Sequence, residues 1–239
     1  MEMRKISVPG FTIGTAEDRK GLTGVTVILA PEDGAAAGVD VRGCAPGTRE
    51  TDLLSPEKTV QKIHAVVLSG GSAFGLESDC GVMNYLAERG VGFPVGDITV
   101  PIVCGAVLFD LAIGDSHVHP NMKMGYEAAS KASDTFPVGC YGAGTGASVG
   151  KLRGPDHAMK SGAGYAEFAL PGGLYVGAYM AVNACGEIYE NDEILAGALS
   201  DDGSRFISFL RPNLLPRIHN QNHHRHRPHI QIQSLRLHP

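Results

Sequence analysis

The sequence predicts an α+β fold, in which helices cover one or more β-sheets. Short apolar runs that are rich in β-branched residues and bounded by Gly or Pro predict strands, and two longer segments with apolar residues at helical spacing predict helices. Helices alternate with strands in the first half of the chain, whereas antiparallel strands dominate the second half. This mixture is typical of layered α/β or α+β domains.

Each predicted element has a local reason. The first helix, at residues 76–90, carries apolar residues at helical spacing and ends at Gly90, and the second helix spans residues 121–133. A glycine-dense loop, "GCYGAGTGASVGKLRG", occupies residues 139–154. The strands are predicted at residues 25–30, 37–43, 64–70 and 105–114, followed by a hairpin of residues 164–170 and 174–182 that turns at "PGG".

Composition and charge exclude several classes of protein. The 239 residues are 43% hydrophobic, which is enough to bury the core of one domain. A net charge of −5 gives no reason to expect a nucleic-acid partner, and no window reaches the roughly 18 apolar residues of a membrane helix. Five cysteines, an odd number without C-x-x-C spacing, are expected to be reduced in a cytoplasmic protein.

The last 29 residues differ in composition from the rest of the chain. Residues 1–210 contain 15 Lys and Arg against 25 Asp and Glu, a net charge of −10. Residues 211–239 contain five Arg, no acidic residue and six of the ten histidines, a net charge of +5. This change marks residues 211–239 as a separate tail.

Two glycine-rich motifs are candidate binding loops. "LSGGSAFGLES" (residues 68–78) follows a strand and precedes a helix, so it is either an anion cradle or a tight structural turn. It lacks the Lys-Ser/Thr of a phosphate loop, and Phe74 breaks a G-x-S-x-G pattern around Ser72. "GAGTGASVGK" (residues 142–151) either lays backbone N–H groups along a substrate or forms a plain flexible loop.

Two further candidate functional sites consist of polar side chains outside the glycine-rich motifs. Asp115, His117 and His119 have the side chains of a metal site, but a solvated strand end explains "DSHVHP" better. Asn183 follows a long apolar strand, where its amide either caps the strand or donates to an oxyanion.

Five stretches, taken together and in order, carry a specific resemblance. They are "VRGCAPGTRETDLLSP", "HAVVLSGGSAFGLESDCGVMNYL", "VPIVCGAVLFDL", "GAGTGASVGK" and "VGAYMAVNACGEI". Over roughly residues 5–205 the chain resembles the DmpA-type L-aminopeptidase/D-esterase family, which also includes β-peptidyl aminopeptidases and the nylon-oligomer hydrolase NylC.

The resemblance implies an αββα sandwich and a self-cleaving hydrolase that needs no metal or other cofactor. In such proteins the precursor cuts itself into an α chain and a β chain, and the new N-terminal Ser or Thr of the β chain attacks an amide or ester. The terminal α-amine, with a pKa near 8, serves as the base for the adjacent hydroxyl. The implied substrates are small peptides or amides, and the implied full-length form is a homo-oligomer.

The resemblance also implies roles for individual residues. Asn183 matches the family's oxyanion-donating Asn, and Lys151 matches a site lysine of NylC-like members. Phe109 falls where some members have a Tyr, so the hydroxyl is missing here. The substrate-binding residues implied by this match are Phe109 and the loop residues Gly144, Thr145 and Gly146.

The histidine-rich tail admits three explanations. His223, His224, His226 and His229 resemble a metal-chelating cluster, and the tail arginines resemble a nucleic-acid arm, but neither has the accompanying residues such sites need. The third explanation is a shifted reading frame. Read one base later, residues 222–229 allow Thr-Thr-Ile-Gly-Ile-Val-Leu-Thr, which fits the family's nucleophile strand.

The expected organisation is therefore an α-chain part at residues 1–210 and an aberrant, unstructured tail at residues 211–239. The parent function is an aminopeptidase or amidase. This chain is expected to lack the nucleophile and the β chain of its precursor, and so to be inactive. The alternative is a non-catalytic small-molecule-binding protein on the same scaffold.

Overall fold

The computed structural model describes residues 1–208 and the backbone of residues 234–238. Within these residues, the α-helices are α1 (Ser78–Ala87) and α2 (Met122–Ser130), and 3₁₀ turns cover Asp52–Leu54, Ser72–Glu77, Gly142–Gly144, Lys151–Arg153 and Pro155–His157. The strands are β1 (Glu2–Lys5), β2 (Thr12–Asp18), β3 (Thr23–Leu29), β4 (Ala36–Asp40), β5 (Thr48–Arg49), β6 (Ala65–Ser69), β7 (Phe93–Val95), β8 (Ile98–Val100), β9 (Val103–Val107), β10 (Thr135–Val138), β11 (Ser148–Val149), β12 (Met159–Lys160), β13 (Ala163–Leu170), β14 (Leu174–Ala181), β15 (Ile188–Glu190), β16 (Glu193–Ala196) and β17 (Ser234–His238).

A five-stranded mixed sheet with the order β2-β3-β6-β9-β5 forms the centre of the structure. Strands β6 and β9 are parallel, and the other neighbours in the sheet are antiparallel. Parallel strands need a crossover connection, and the chain between β6 and β9 supplies it with α1 and the β7–β8 hairpin. The sheet and its helices make the chain an α+β protein, as the sequence predicts.

Helices α1 and α2 pack against one face of this sheet. The shared core consists of small and β-branched side chains, which let the helices approach the strands closely. Its buried members are Ala16, Val25, Val27, Ala65, Val67, Val82, Leu86, Val103, Ala128 and Ala129.

The opposite face of the sheet is also covered. Phe136 of β10 meets Tyr165 of β13 edge-on, with ring centroids 5.2 Å apart, and Ile13 joins the same cluster. Ile63, Val66 and Cys104 are buried elsewhere on the sheet. Because both faces are covered, the inner strands are near-continuous apolar runs.

The β13–β14 hairpin has one covered face and one open face. Tyr165 pairs with Tyr179 on the covered face, whereas Phe168 pairs with Val176 on the other. Phe168 is 68% exposed and Val176 is 50% exposed. We call the exposed residues Phe168, Leu170, Leu174 and Val176 the outer hairpin face.

Most of the predicted elements are confirmed. The predicted strands correspond to β3, β4, β6, β13 and β14, and the predicted helices correspond to α1 and α2, with Asn121 capping α2 through its side chain. The strand predicted at residues 105–114 overlaps β9 (Val103–Val107) only at residues 105–107, because the next residues leave the strand and Asp110 accepts a hydrogen bond from the N–H of Gly71. The boundary predicted at residue 210 lies outside the described residues, and the backbone of β17 pairs with β4.

Candidate active site

The candidate site lies where β6 and β9 end. Parallel neighbours finish at the same edge of a sheet, and this edge is where open α/β sheets bind ligands. Gly70 and Gly71 follow β6, and Leu108 follows β9, where its N–H donates to the Ser69 carbonyl at 2.9 Å. The glycine-rich loop at residues 142–150 approaches the same edge.

Asn183 is the residue that joins the elements of the site. Its Nδ2 donates to the carbonyl oxygen of Phe109 at 3.1 Å, and its Oδ1 accepts from the backbone N–H of Ser148 at 3.1 Å. One side chain therefore ties the end of the hairpin to the segment after β9 and to the glycine-rich loop.

Lys151 contacts the same asparagine. Its Nζ donates to the carbonyl oxygen of Asn183 at 2.8 Å, and its backbone N–H donates to the carbonyl of Cys185 at 2.8 Å. Burial lowers the pKa of the Lys151 ammonium, and the nearby Cys185 and Asp110 oppose this shift. The structure thus brings Asn183, Lys151 and Phe109 together.

The ring of Phe109 is 51% exposed although its backbone is held by Asn183. A phenyl ring offers apolar surface but no proton to donate or accept. Any step that requires a hydroxyl at this position must therefore use another group.

The predicted loop residues Gly144, Thr145 and Gly146 are buried at the base of the site rather than arrayed along its surface. The N–H of Gly144 donates to the Tyr141 carbonyl at 2.9 Å, and the N–H of Thr145 donates to the Gly142 carbonyl at 3.0 Å. The backbone N–H groups of Gly144 and Thr145 are therefore used in hydrogen bonds within the loop itself.

Sequence reasoning missed two side chains that hold this loop. The Nζ of Lys160 donates to the carbonyls of Gly144 and Ala147, each at 3.0 Å. Thr26 accepts a hydrogen bond of 3.1 Å from the Ala143 N–H through its hydroxyl. Neither residue belongs to a motif, so only the fold could reveal their roles.

The same Thr26 hydroxyl shares a hydrogen bond of 3.0 Å with the hydroxyl of Tyr179 on β14. Burial raises the pKa of Tyr179 to about 12. We call the connected groups Tyr179, Thr26 and Ala143 the loop latch, because they join the hairpin to the glycine-rich loop through the central sheet.

The remaining candidates do not form a second site. Ser72 sits in a strand-to-helix turn with φ of 53°, and its N–H donates to the Leu108 carbonyl at 3.0 Å. The backbone N–H of His117 donates to the carboxylate of Asp115, whereas the ring of His119 stacks on the ring of Phe74 with centroids 4.7 Å apart. Among the described residues, no three His, Cys, Asp or Glu side chains are grouped to hold a metal ion, and no helix is long and apolar enough to span a membrane.

Comparison with known proteins places this geometry in a family. The model of peptidase family S58 matches residues 6–203. An uncharacterized aminopeptidase of Mycobacterium leprae (strain TN) is 45% identical over 175 residues, which cover 70% of this chain and 46% of the relative. A 6-aminohexanoate-oligomer endohydrolase of Agromyces sp. (strain KY5R) is 38% identical over 152 residues, which cover 63% of this chain and 40% of that enzyme.

Solved structures show the same fold. The L-aminopeptidase D-Ala-esterase/amidase of Ochrobactrum anthropi, described as a variant of the Ntn hydrolase fold, aligns with a TM-score of 0.58 at 20% identity, over 74% of this chain and 52% of that one. A β-aminopeptidase of Burkholderia sp. aligns with a TM-score of 0.54 at 23% identity, over 74% and 50%. The chain spans about half the length of the curated relatives it matches. With the family model covering most of its length, the chain belongs to peptidase family S58.

Proposed function

We propose that residues 1–208 form the α-chain part of an aminopeptidase or amidase that acts through an N-terminal Ser or Thr nucleophile. The observation that carries this proposal is the double engagement of Asn183, which fixes an amide group beside Lys151. The substrates are small peptides, amides or esters with a free N-terminal residue. Membership of peptidase family S58 supports the reaction class.

The arrangement suits stabilisation of a negative charge. A primary amide has two N–H donors, and the carbonyl of Phe109 takes one of those on Asn183. The second remains to donate to the oxyanion that forms when a hydroxyl attacks an acyl carbon. A donor held in advance stabilises this charge more than a mobile one, because it needs no reorganisation during the reaction.

Lys151 adds a positive charge beside this donor. Its ammonium is held by the carbonyl of Asn183, so it lies near the developing oxyanion instead of extending into solvent. Its pKa, lowered by burial, also makes proton transfer easier than for an ordinary surface lysine.

We propose further that the 239-residue chain does not itself turn over substrate. The tail supports this proposal, because residues 222–229 read one base later allow Thr-Thr-Ile-Gly-Ile-Val-Leu-Thr, whereas in the given frame they carry no Ser or Thr. In an intact precursor, the β chain would supply this hydroxyl and cover the outer hairpin face, which carries Phe168 and Val176.

A pair of genes tests both statements. One encodes the chain as it stands, and the other shifts the frame by one base within codons 206–212. Each purified product is assayed with amino-acid p-nitroanilides in the presence of EDTA, and self-cleavage is followed by gel electrophoresis and mass spectrometry. We expect cleavage and turnover only from the frame-corrected product.

Two outcomes would contradict the proposal. Metal-independent turnover by the 239-residue chain would show that the nucleophile is present after all. Saturable ligand binding without hydrolysis by the frame-corrected product would instead favour a non-catalytic binding protein. The variant Asn183→Ala in the frame-corrected gene is the control for the site, and it should lose turnover under conditions in which circular dichroism shows that the variant is still folded.

A further inference from the structure

The buried carboxylate of Asp110 lies beneath the candidate site. The side chain is 2% exposed. Its Oδ2 accepts from the hydroxyl of Thr23 at 2.7 Å, and its Oδ1 accepts from the backbone N–H of Gly71 at 2.6 Å. The carboxylate therefore connects the start of β3 with the turn after β6.

Two glycines leave room for this carboxylate. A Cβ added at Gly70 or at Gly146 would overlap the Oδ2 atom of Asp110. The first glycine belongs to the turn after β6, and the second belongs to the glycine-rich loop. The carboxylate thus fills the gap between two backbone segments that both border the site. A side chain at either of these two glycines would displace it.

Lys151 lies near this carboxylate, because its Nζ donates to the carbonyl of Asn183, and the amide of Asn183 holds the carbonyl of Phe109, the residue before Asp110. Lys160 holds the loop that carries Gly146, through the carbonyls of Gly144 and Ala147. Lys151, Lys160 and Cys185 are titratable groups of this cluster, and the negative charge of Asp110 opposes the lowering of both lysine pKa values by burial. Burial raises the pKa of Asp110, while the hydrogen bonds from Gly71 and Thr23 and the charge of Lys151 oppose this shift. The anion and the lysines therefore stabilise one another in a partly dry environment.

We propose that Asp110 is the positioning residue of this site, which seats the glycine-rich loop and supplies the negative charge that holds Lys151 beside Asn183. Asp110 does not touch the reacting atoms in this arrangement, because Thr23, Gly71 and Gly146 enclose it. Its importance for catalysis rests on the proposed function, whereas its effect on Lys151 is a property of the chain itself and can be measured without turnover.

The first test measures the titration of Lys151 directly. Trace acetylation with acetic anhydride, quantified by peptide mass spectrometry from pH 6 to pH 11, gives the midpoint for Lys151 in the folded 239-residue chain. Asp110→Asn keeps the side-chain shape and removes the charge, so we expect the midpoint to fall by roughly half a unit or more. Asp79→Asn, at another buried aspartate, is the matched control and should leave it unchanged.

A folded Asp110→Asn variant with an unchanged Lys151 midpoint would overturn the proposal. A purely structural Asp110 would alter stability in that variant but not the Lys151 titration. Absence of aminopeptidase activity would not affect this result, so failure of the proposed function and failure of this inference remain distinguishable.

A second variant covers the case in which Asp110→Asn does not fold. Lys151→Gln removes one of the two lysine charges near the buried carboxylate. In measurements from pH 4 to pH 8, the urea midpoint of this variant should therefore fall relative to that of the unmodified chain as pH rises and Asp110 ionises. Lys123→Gln, on the exposed side of α2, should follow the unmodified chain throughout. If the Lys151→Gln curve instead stays parallel, the lysine and the aspartate are not coupled and the inference fails.

Discussion

The amide Nδ2 of Asn183 reaches across 74 positions of sequence to the carbonyl of Phe109, at 3.1 Å. This contact joins the end of the β13–β14 hairpin to the segment that follows β9. Through Oδ1 the same side chain also holds the buried N–H of Ser148. Asn183 therefore has a structural task in addition to the oxyanion-donating role that we propose.

Asn183→Ala should destabilise the fold. The substitution leaves the N–H of Ser148 and the carbonyl of Phe109 without their partner, and an unsatisfied buried group costs about 1–3 kcal/mol. Urea unfolding followed by circular dichroism measures this loss. Asn84→Ala, at an exposed position of α1, is the control and should change the free energy of unfolding by about 0.5 kcal/mol or less. Equal effects of the two substitutions would show that the Asn183 contacts are not stabilising.

Tyr179→Phe should loosen the loop latch. The phenol oxygen lies 3.0 Å from the Thr26 hydroxyl, and that hydroxyl also accepts from Ala143. Losing this hydrogen bond should cost about 1 kcal/mol and should speed amide hydrogen exchange at Ala143. Tyr175→Phe, on the same strand, should do neither. Unchanged exchange at Ala143 in Tyr179→Phe would refute the latch.

Asp79 should make stability depend on pH. The residue is 1% exposed, neither carboxylate oxygen has a hydrogen-bond partner among the described residues, and burial raises its pKa to about 7, opposed by the charge of Arg49. The folded protein keeps this proton where the unfolded chain, with an ordinary pKa of 3.8, has lost it. Stability from this group is therefore complete below pH 4 and declines as pH rises through 7.

The measurement for Asp79 is the urea midpoint between pH 4 and pH 8. The free energy of unfolding that these curves give for the unmodified chain should decline by on the order of 4 kcal/mol between pH 4 and pH 8, since each unit of pKa shift corresponds to about 1.4 kcal/mol. Asp79→Asn has no proton to lose, so its curve should be flatter and should lie above the unmodified one at neutral pH. Parallel curves would show that Asp79 is ionised in the folded state.

The outer hairpin face should drive association of the 239-residue chain. Phe168 and Val176 are directly opposed and exposed, so Phe168→Lys with Val176→Glu places an ion pair on the strands and removes the apolar surface. Sedimentation velocity should show a larger monomer fraction for this double variant. Val95→Lys with Ile98→Glu makes the same change on the opposed, exposed pair of the β7–β8 hairpin and serves as the control. An equal gain in both would mean that association is not specific to the outer hairpin face.

Local patterns were sufficient to predict the inner strands and both helices. β3 and β6 are buried on both faces, so their apolar runs stand out, and α2 begins at Asn121, whose side chain accepts from the Met124 N–H. β1 escaped prediction because its four residues, Glu2–Lys5, are polar or exposed and are held in place by pairing with β10. Such a strand has no signal of its own in the sequence.

The candidate site was predictable in part. The resemblance indicated Asn183, Lys151 and Phe109, and the fold brings these three residues together. The sequence places Asp110 in the strand predicted at residues 105–114 and gives no sign of its role in the site. The reason is that its partners Thr23 and Gly71 lie 87 and 39 positions away. Contacts between such distant residues depend on the register of the whole sheet, which no local pattern contains.

The loop latch has a consequence for how the hairpin and the glycine-rich loop influence each other. Tyr179 lies on the same strand as the outer hairpin face, and through Thr26 it holds the Ala143 N–H of the glycine-rich loop. We expect a segment that packs against the outer hairpin face to favour the ordered loop as well, and by linkage the ordered loop then favours that segment by the same free energy. Packing at the hairpin and ordering of the glycine-rich loop would then be coupled steps of one equilibrium.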